Sequence, residues 1–186
     1  AALKYLGKTV HLIDTDPQGS LAQWRSVSET TPIEVTHQIR PVRLKQLNLL
    51  KKKSEIIIID SPPALEKATM NNLKISDQTI VPVSPSPLDI WSANDTVTQI
   101  RQVMKRSKGL KAGLLVYRKI PGTRIGKEAR AALDGYGMKV FNTEITQKIA
   151  AVEAMIHGRS VVDHAPRSKS AQEFKSLARE LIKGEV

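Results

Sequence analysis

Three carboxylates of this 186-residue chain stand where they could share one reaction. The runs His11-Leu12-Ile13-Asp14-Thr15-Asp16-Pro17-Gln18-Gly19-Ser20 and Ile56-Ile57-Ile58-Ile59-Asp60-Ser61-Pro62-Pro63 each lead apolar residues straight into an acid and then into turn formers. A buried parallel strand reads as such a run, and its carboxyl end delivers the acid to the edge of a sheet. Acids brought to one edge can act together on a magnesium-bound phosphate, because magnesium keeps much of its water and needs few carboxylates. The i, i+2 spacing of Asp14 and Asp16 would send both to one side of a continuing strand, but Pro17 starts a turn, so different directions are expected. Asp14 could instead cap the helix that follows, and Asp60 could simply end a strand. Nothing in these residues reads G-x-x-x-x-G-K-S/T, the phosphate cradle that normally accompanies such acids. Gly7-Lys8-Thr9 does not supply it: Ala2 stands where the first glycine would fall, and a strand, not a helix, follows.

The elements that must position these acids alternate. Strand-like runs at about 8–14, 32–36, 55–60, 78–83, 111–117 and 138–142 are separated by helical patterns at about 20–29, 42–53, 67–75, 89–108, 122–134, 147–157 and 168–183. The pattern predicts a single α/β domain over 1–186, a mostly parallel sheet with helices on both faces. Gln78 to Val83, closed by Ser84-Pro85-Ser86-Pro87, repeats the habit of the acid-bearing strands, and in open α/β sheets such carboxyl ends are where ligands bind. Ile90, Val97, Ile100, Val103 and Met104 form the apolar stripe of the long helix after it. Residues 1–7 read as the last turns of a helix with a glycine stop, so the chain is expected to begin inside a larger unit.

The net charge of +11 and pI near 10.0 point to a polyanionic partner, nucleic acid first and an anionic membrane second. With only 4% aromatic residues there is little to stack single-stranded bases, so contact with a duplex backbone fits better. The absence of cysteine excludes disulfides, thiolate metal sites and cysteine-held iron–sulfur clusters, and a cytoplasmic location is expected. No apolar run approaches the roughly 20 residues of a membrane span. Positive charge gathers at Arg159, Arg167, Lys169, Lys175, Arg179 and Lys183, and again at Arg101, Lys105, Arg106, Lys108 and Lys111. Lys51-Lys52-Lys53 suits a helix C-terminus. His11, His37, His157 and His164 have no metal-ligand spacing and read as structural or exposed.

With Leu-Ile-Asp-Thr-Asp-Pro-Gln-Gly-Ser at 12–20, Ile-Ile-Ile-Asp-Ser-Pro-Pro at 57–63 and Val-Pro-Val-Ser-Pro-Ser-Pro-Leu-Asp at 81–89, the chain resembles the ParA/MinD family of deviant Walker ATPases, most nearly the small plasmid-partition ParA proteins of the ParF type. The likeness runs on through Tyr117-Arg118-Lys119-Ile120, Glu144-Ile145-Thr146-Gln147 and Gly158-Arg159-Ser160-Val161. It implies a P-loop NTPase architecture of the deviant Walker (SIMIBI-like) kind, here without its first strand and phosphate loop, as in an N-terminally incomplete domain. It also implies ATP and Mg2+ as cofactors, with Asp16 positioning the attacking water, Asp14 supporting the magnesium and the switch, and Asp60 as the Walker B acid holding magnesium through water. Gln18, Gly19, Ser20, Ser61, Pro62 and Pro63 would be switch segments. Asp89 would lie near a nucleotide-sandwich homodimer interface, Arg118 near the adenine and Pro166 in a base-contacting loop. Arg159, Arg167, Lys169, Lys175 and Arg179 would bind nonspecific duplex DNA of the nucleoid, and a centromere-binding ParB-like protein would stimulate hydrolysis. Two competing expectations remain: a nucleotide-independent DNA-binding or adaptor protein, and MinD-like membrane positioning, for which the C-terminal residues offer only a short, poorly amphipathic tail.

Overall fold

The structure is a computed structural model that describes residues 1–28, 33–62, 67–107 and 109–184. Pro63 and Lys108, expected in a switch segment and a basic patch, lie outside the described residues. Among the described residues seven strands run β1 Val10–Asp14, β2 Glu34–His37, β3 Ile56–Asp60, β4 Gln78–Val83, β5 Lys111–Lys119, β6 Lys139–Val140 and β7 Ile145–Thr146. Nine helices of the described residues accompany them: α1 Ala2–Tyr5, α2 Ser20–Ser26, α3 Leu44–Leu50, α4 Lys67–Ile75, α5 Pro87–Arg106, α6 Arg124–Asp134, α7 Ile149–Ile156, α8 Val161–His164 and α9 Lys169–Lys183. Every strand pairing is parallel, as the alternation predicts.

The strands form two pieces, one ordered β2-β1-β3 and the other β4-β5-β6 with β7 also on β5. Register in the first piece sets the site, because Asp14 at the end of β1 is level with Asp60 at the end of β3 and with His37 at the end of β2. Adjacent strands lie about 4.8 Å apart, so the two acids are next-door neighbours. Among the described residues, β3 and β4 each pair on one side only. Ile58 and Ile80, which an apolar parallel strand would normally bury, are 41% and 36% exposed there.

Two helices tie the pieces together. From α4, Ile75 joins Ile13, Val42 and Leu47, while Leu73 and Met70 pack in the larger core of Val83, Val97, Ile100, Leu114 and Val116. From α9, Ala178 meets Leu3 and Val10, while Leu177 and Phe174 pack on Leu115, Phe141 and Ile145. The stripe expected on α5 is buried at Ile90, Val97, Ile100 and Val103. Gly7, at φ +81°, turns the chain out of α1 as the glycine stop predicts. The sequence pattern does not separate out β7 or α8, which are too short to carry a period of their own. Helix α3 stops at Leu50 instead of running to 53, and Lys51, Lys52 and Lys53 follow as turns exposed to solvent.

Candidate active site

The two acid-bearing strand ends are built differently. Asp14 is fully buried, and its carboxylate is used up by backbone donors. Its Oδ1 accepts from Asp16 N at 3.1 Å, and its Oδ2 accepts from Leu21 N at 3.0 Å and Ala22 N at 3.3 Å. The first N–H groups of a helix have no partner within it, so a carboxylate placed there satisfies them and meets the positive end of the helix dipole. Asp14 thus holds the turn closed onto α2, the capping alternative left open by the residue pattern.

Asp16 is half-buried and points elsewhere. Its Oδ1 accepts from Gln18 N at 2.9 Å and its carbonyl from Gly19 N at 3.0 Å, closing an Asx-type turn. Its Oδ2 has no hydrogen bond among the described residues, which leaves it available to a ligand or water. Gly19 adopts φ +64°, a conformation that favours glycine, and a Cβ there would stand 3.1 Å from His37 Cε1 and press on that ring. His37 Nε2 donates to the Asp16 carbonyl at 3.0 Å.

Asp60 is exposed, and its pKa is raised, first by loss of solvation and then by the negative charges of Asp14 and Asp16. Among the described residues no ion pair offsets any of the three acids. An uncompensated set of carboxylates at one strand edge, with one oxygen free on Asp16 and an exposed Asp60, suits a hydrated divalent cation. Among the described residues no group of three or more His, Cys, Asp or Glu side chains is placed to hold a metal ion. Proton binding by Asp60 favours the folded state. That contribution is complete below the unfolded carboxylate pKa and is lost as pH rises through the higher folded value. Ionised Asp60 therefore opposes folding at neutral pH. Asp60→Asn should raise Tm at pH 7 in chelator, with the gain shrinking to nothing as the pH falls below the carboxylate range. Thermal melts across pH check this.

Asn72 joins the two strand ends, and nothing in its sequence setting announces it. It is 3% exposed on α4, and its Nδ2 donates to Thr15 Oγ1 and Ser61 Oγ, both at 3.0 Å. Thr15 in turn donates to the Asp60 carbonyl from Oγ1 at 2.6 Å and from N at 3.0 Å. Among the described residues, Asn72 Oδ1 is buried without a hydrogen-bond partner. An asparagine on an amphipathic helix is ordinarily a surface residue, so only the folded contacts reveal it. Asn72→Ala should cost about 1–3 kcal/mol, measured by urea unfolding, because the buried Thr15 hydroxyl and the half-buried Ser61 hydroxyl lose their donor.

The remaining predicted residues are dispersed. Asp89 lies exposed in the first turn of α5, beside exposed Leu88 (71%) and Trp91 (67%). Arg118 is exposed at φ +59°, at the shift of register between Tyr117 and Lys119 where β5 meets β7. Pro166 is exposed between α8 and α9. Among the described residues, no hydrogen bond or ion pair joins Asp89, Arg118 or Pro166 to the three acids. Arg159, Arg167, Lys169 and Arg179 are exposed. Lys175 corrects the expectation of a DNA contact: it is 9% exposed, its Nζ sits 3.8 Å from the centroid of the Tyr5 ring, and it donates to the Pro166 carbonyl at 3.3 Å. It packs inward because α9 rests on α1, and the ring and carbonyl take the place of water around the ammonium. No described helix is long and apolar enough to cross a membrane.

The strand order and parallel register give an α/β fold shared with solved MinD structures. The septum site-determining protein MinD of Pyrococcus horikoshii, solved in complex with Mg-ADP, superposes with a TM-score of 0.71 at 21% identity, covering 99% of this chain and 87% of that one. A family described as an AAA domain matches residues 27–112. The maintenance of carboxysome distribution protein A of Halothiobacillus neapolitanus is 28% identical over 180 residues, covering 93% of this chain and 82% of that protein. The sporulation initiation inhibitor protein Soj of Bacillus subtilis is 27% identical over 225 residues, covering 97% and 89%. Over nearly its whole length the chain is similar to these proteins, in keeping with the ParA/MinD resemblance of its motifs. The comparisons do not single out the ParF type.

Proposed function

We propose that this chain forms the body of an ATPase that segregates or positions large cellular cargo, plasmid or chromosomal DNA among the candidates. The single observation that carries the reading is the register that sets Asp14 and Asp60 level, with Asp16 projecting just beyond them. In this reading water attacks the γ-phosphate of ATP, a magnesium ion held through water by Asp60 offsets the charge of the phosphates, and Asp16 Oδ2 orients the water. Asp14 positions Asp16 and α2 and supports the magnesium only through them. Phosphate donors of the kind a glycine-rich loop provides are required in addition to residues 1–186. ATP drives homodimerisation, with Asp89 near the contact; Arg118 and Pro166 approach the base. Exposed Arg159, Arg167, Lys169 and Arg179 bind nonspecific duplex DNA, giving a cytoplasmic, nucleoid-associated protein, and a ParB-like partner stimulates hydrolysis. Retention on a DNA column in ATP but not ADP tests the cycle; equal retention in both would overturn it.

One feature favours a second reading, a nucleotide-independent DNA-binding adaptor: the strongly basic net charge of +11. That protein would bind duplex DNA without ATP and lose affinity steeply with salt.

A further inference from the structure

We propose that an open cleft at the carboxyl end of β2 binds an acidic peptide segment carrying apolar side chains, and that His37 and Gln38 pass its occupancy to the Asp16 turn. The cleft has a volume of about 590 Å³ and is lined by His37, Gln38, Ile39, Arg40, Arg43 and Gln46 among others. Its charge is one-sided. From Val35 to Ser54 the sequence contains Arg40, Arg43, Lys45, Lys51, Lys52 and Lys53 and no acid. Arg40 and Arg43 are exposed, and neither is ion-paired among the described residues. Two guanidiniums without a carboxylate are a ready fork for one.

The apolar rim chooses the kind of anion. Ile39, in the lining, is 64% exposed, and Leu44, next in the chain to Arg43, is 63% exposed. Side chains of a peptide would cover them, whereas a phosphate backbone has no use for them. The cleft is also shaped in advance, because Gln46 Nε2 donates to Gln38 Oε1 and Gln38 Nε2 donates to the Arg40 carbonyl at 3.0 Å.

What sets this cleft apart is where its wall continues. His37 Nε2 donates to the Asp16 carbonyl, and Gln38 N donates to the Asp14 carbonyl at 2.9 Å. The His37 ring also lies against Gly19. Two adjacent lining residues therefore hold the turn that carries Asp16, and a ligand that moves them moves that turn. The regulatory consequence rests on the reading of Asp16 as the reacting acid; binding and its effect on the turn do not.

Both are measurable without nucleotide, so their failure is distinct from failure of the ATPase reading. The probe is a fluorescein-labelled dodecapeptide of glutamate and leucine, followed by anisotropy, with amide spectra of the 15N-labelled chain. Saturable binding is expected, weakened at least about tenfold by the double change Arg40→Glu, Arg43→Glu and several-fold by Ile39→Ser. A short DNA duplex should not displace the peptide. The Gly19 and Leu21 amide signals should shift on binding; the shift should vanish in His37→Phe and persist in His37→Gln, which keeps an N–H donor. No saturable binding, or binding indifferent to the arginine changes, overturns the proposal. Displacement by duplex with no effect of Ile39→Ser would make the cleft a nucleic-acid surface instead. Binding with unmoved Gly19 and Leu21 signals would overturn the coupling.

Discussion

Replacing Asp14 by alanine should lower the stability of the chain by about 3–5 kcal/mol, more than any other single change at the site. The side chain is fully buried and accepts three backbone N–H bonds, from Asp16, Leu21 and Ala22. Its removal strands three donors in a place water reaches poorly, and each such group costs about 1–3 kcal/mol. Part of that cost is recovered as α2 frays and lets water in, which is why the estimate lies below the sum. Against a total stability of about 5–15 kcal/mol the loss is large, and Tm should fall by roughly 10 °C. Asp14→Asn should rescue little, because an amide offers one acceptor where two are used and turns its own N–H toward other donors. Urea unfolding of the parent and both variants checks this. A loss below about 1 kcal/mol for alanine would show that the cap is dispensable.

Asp16→Asn should leave the fold intact and reduce hydrolysis of ATP by about 10²–10⁴-fold, the usual contribution of a positioned acid–base group. The reason is the contrast with Asp14. Only Asp16 Oδ1 is bound within the turn, to Gln18 N, and an asparagine Oδ1 can still accept that bond. What changes is the free Oδ2, which becomes an N–H2 that cannot accept a proton or orient water by its lone pairs. Nucleotide affinity should be retained, since the phosphates are held elsewhere. Single-turnover hydrolysis beside an equilibrium nucleotide titration separates the two effects. Lost affinity with an unchanged rate for bound nucleotide would assign Asp16 to binding instead of chemistry.

The contrast between these two acids marks how far the sequence could be read. Apolar runs ending in Asp14 and Asp60 disclosed parallel strands and their edge, because the strands of a parallel sheet read as unbroken apolar runs, even though Ile58 of β3 is 41% exposed here. The roles of the acids were legible only as alternatives. Two residues of spacing and a proline say that Asp14 and Asp16 diverge, but which one turns inward depends on where the N–H groups of Leu21 and Ala22 fall. Asn72 was invisible because its partners, Thr15 and Ser61, are 57 and 11 residues away and come together only through α4. Lys175 was misread for the opposite reason: a lysine among basic neighbours looks like surface, and only the packing of α9 on α1 brings it over Tyr5. The link from His37 to Asp16 likewise needs the pairing of β2 with β1, which no local pattern specifies.

Asp14 and Asp60, level at their strand ends, and Asp16 just beyond them are proposed to serve a magnesium–ATP reaction. The decisive test uses the protein isolated from its own cell, its intact mass recorded, and follows phosphate release from ATP with magnesium and with chelator. Slow release that requires magnesium and is suppressed in an Asp16→Asn protein prepared the same way is expected. Release that is absent under every condition, or that proceeds equally in chelator or without the Asp16 carboxylate, would contradict it and leave the DNA-binding adaptor as the better description.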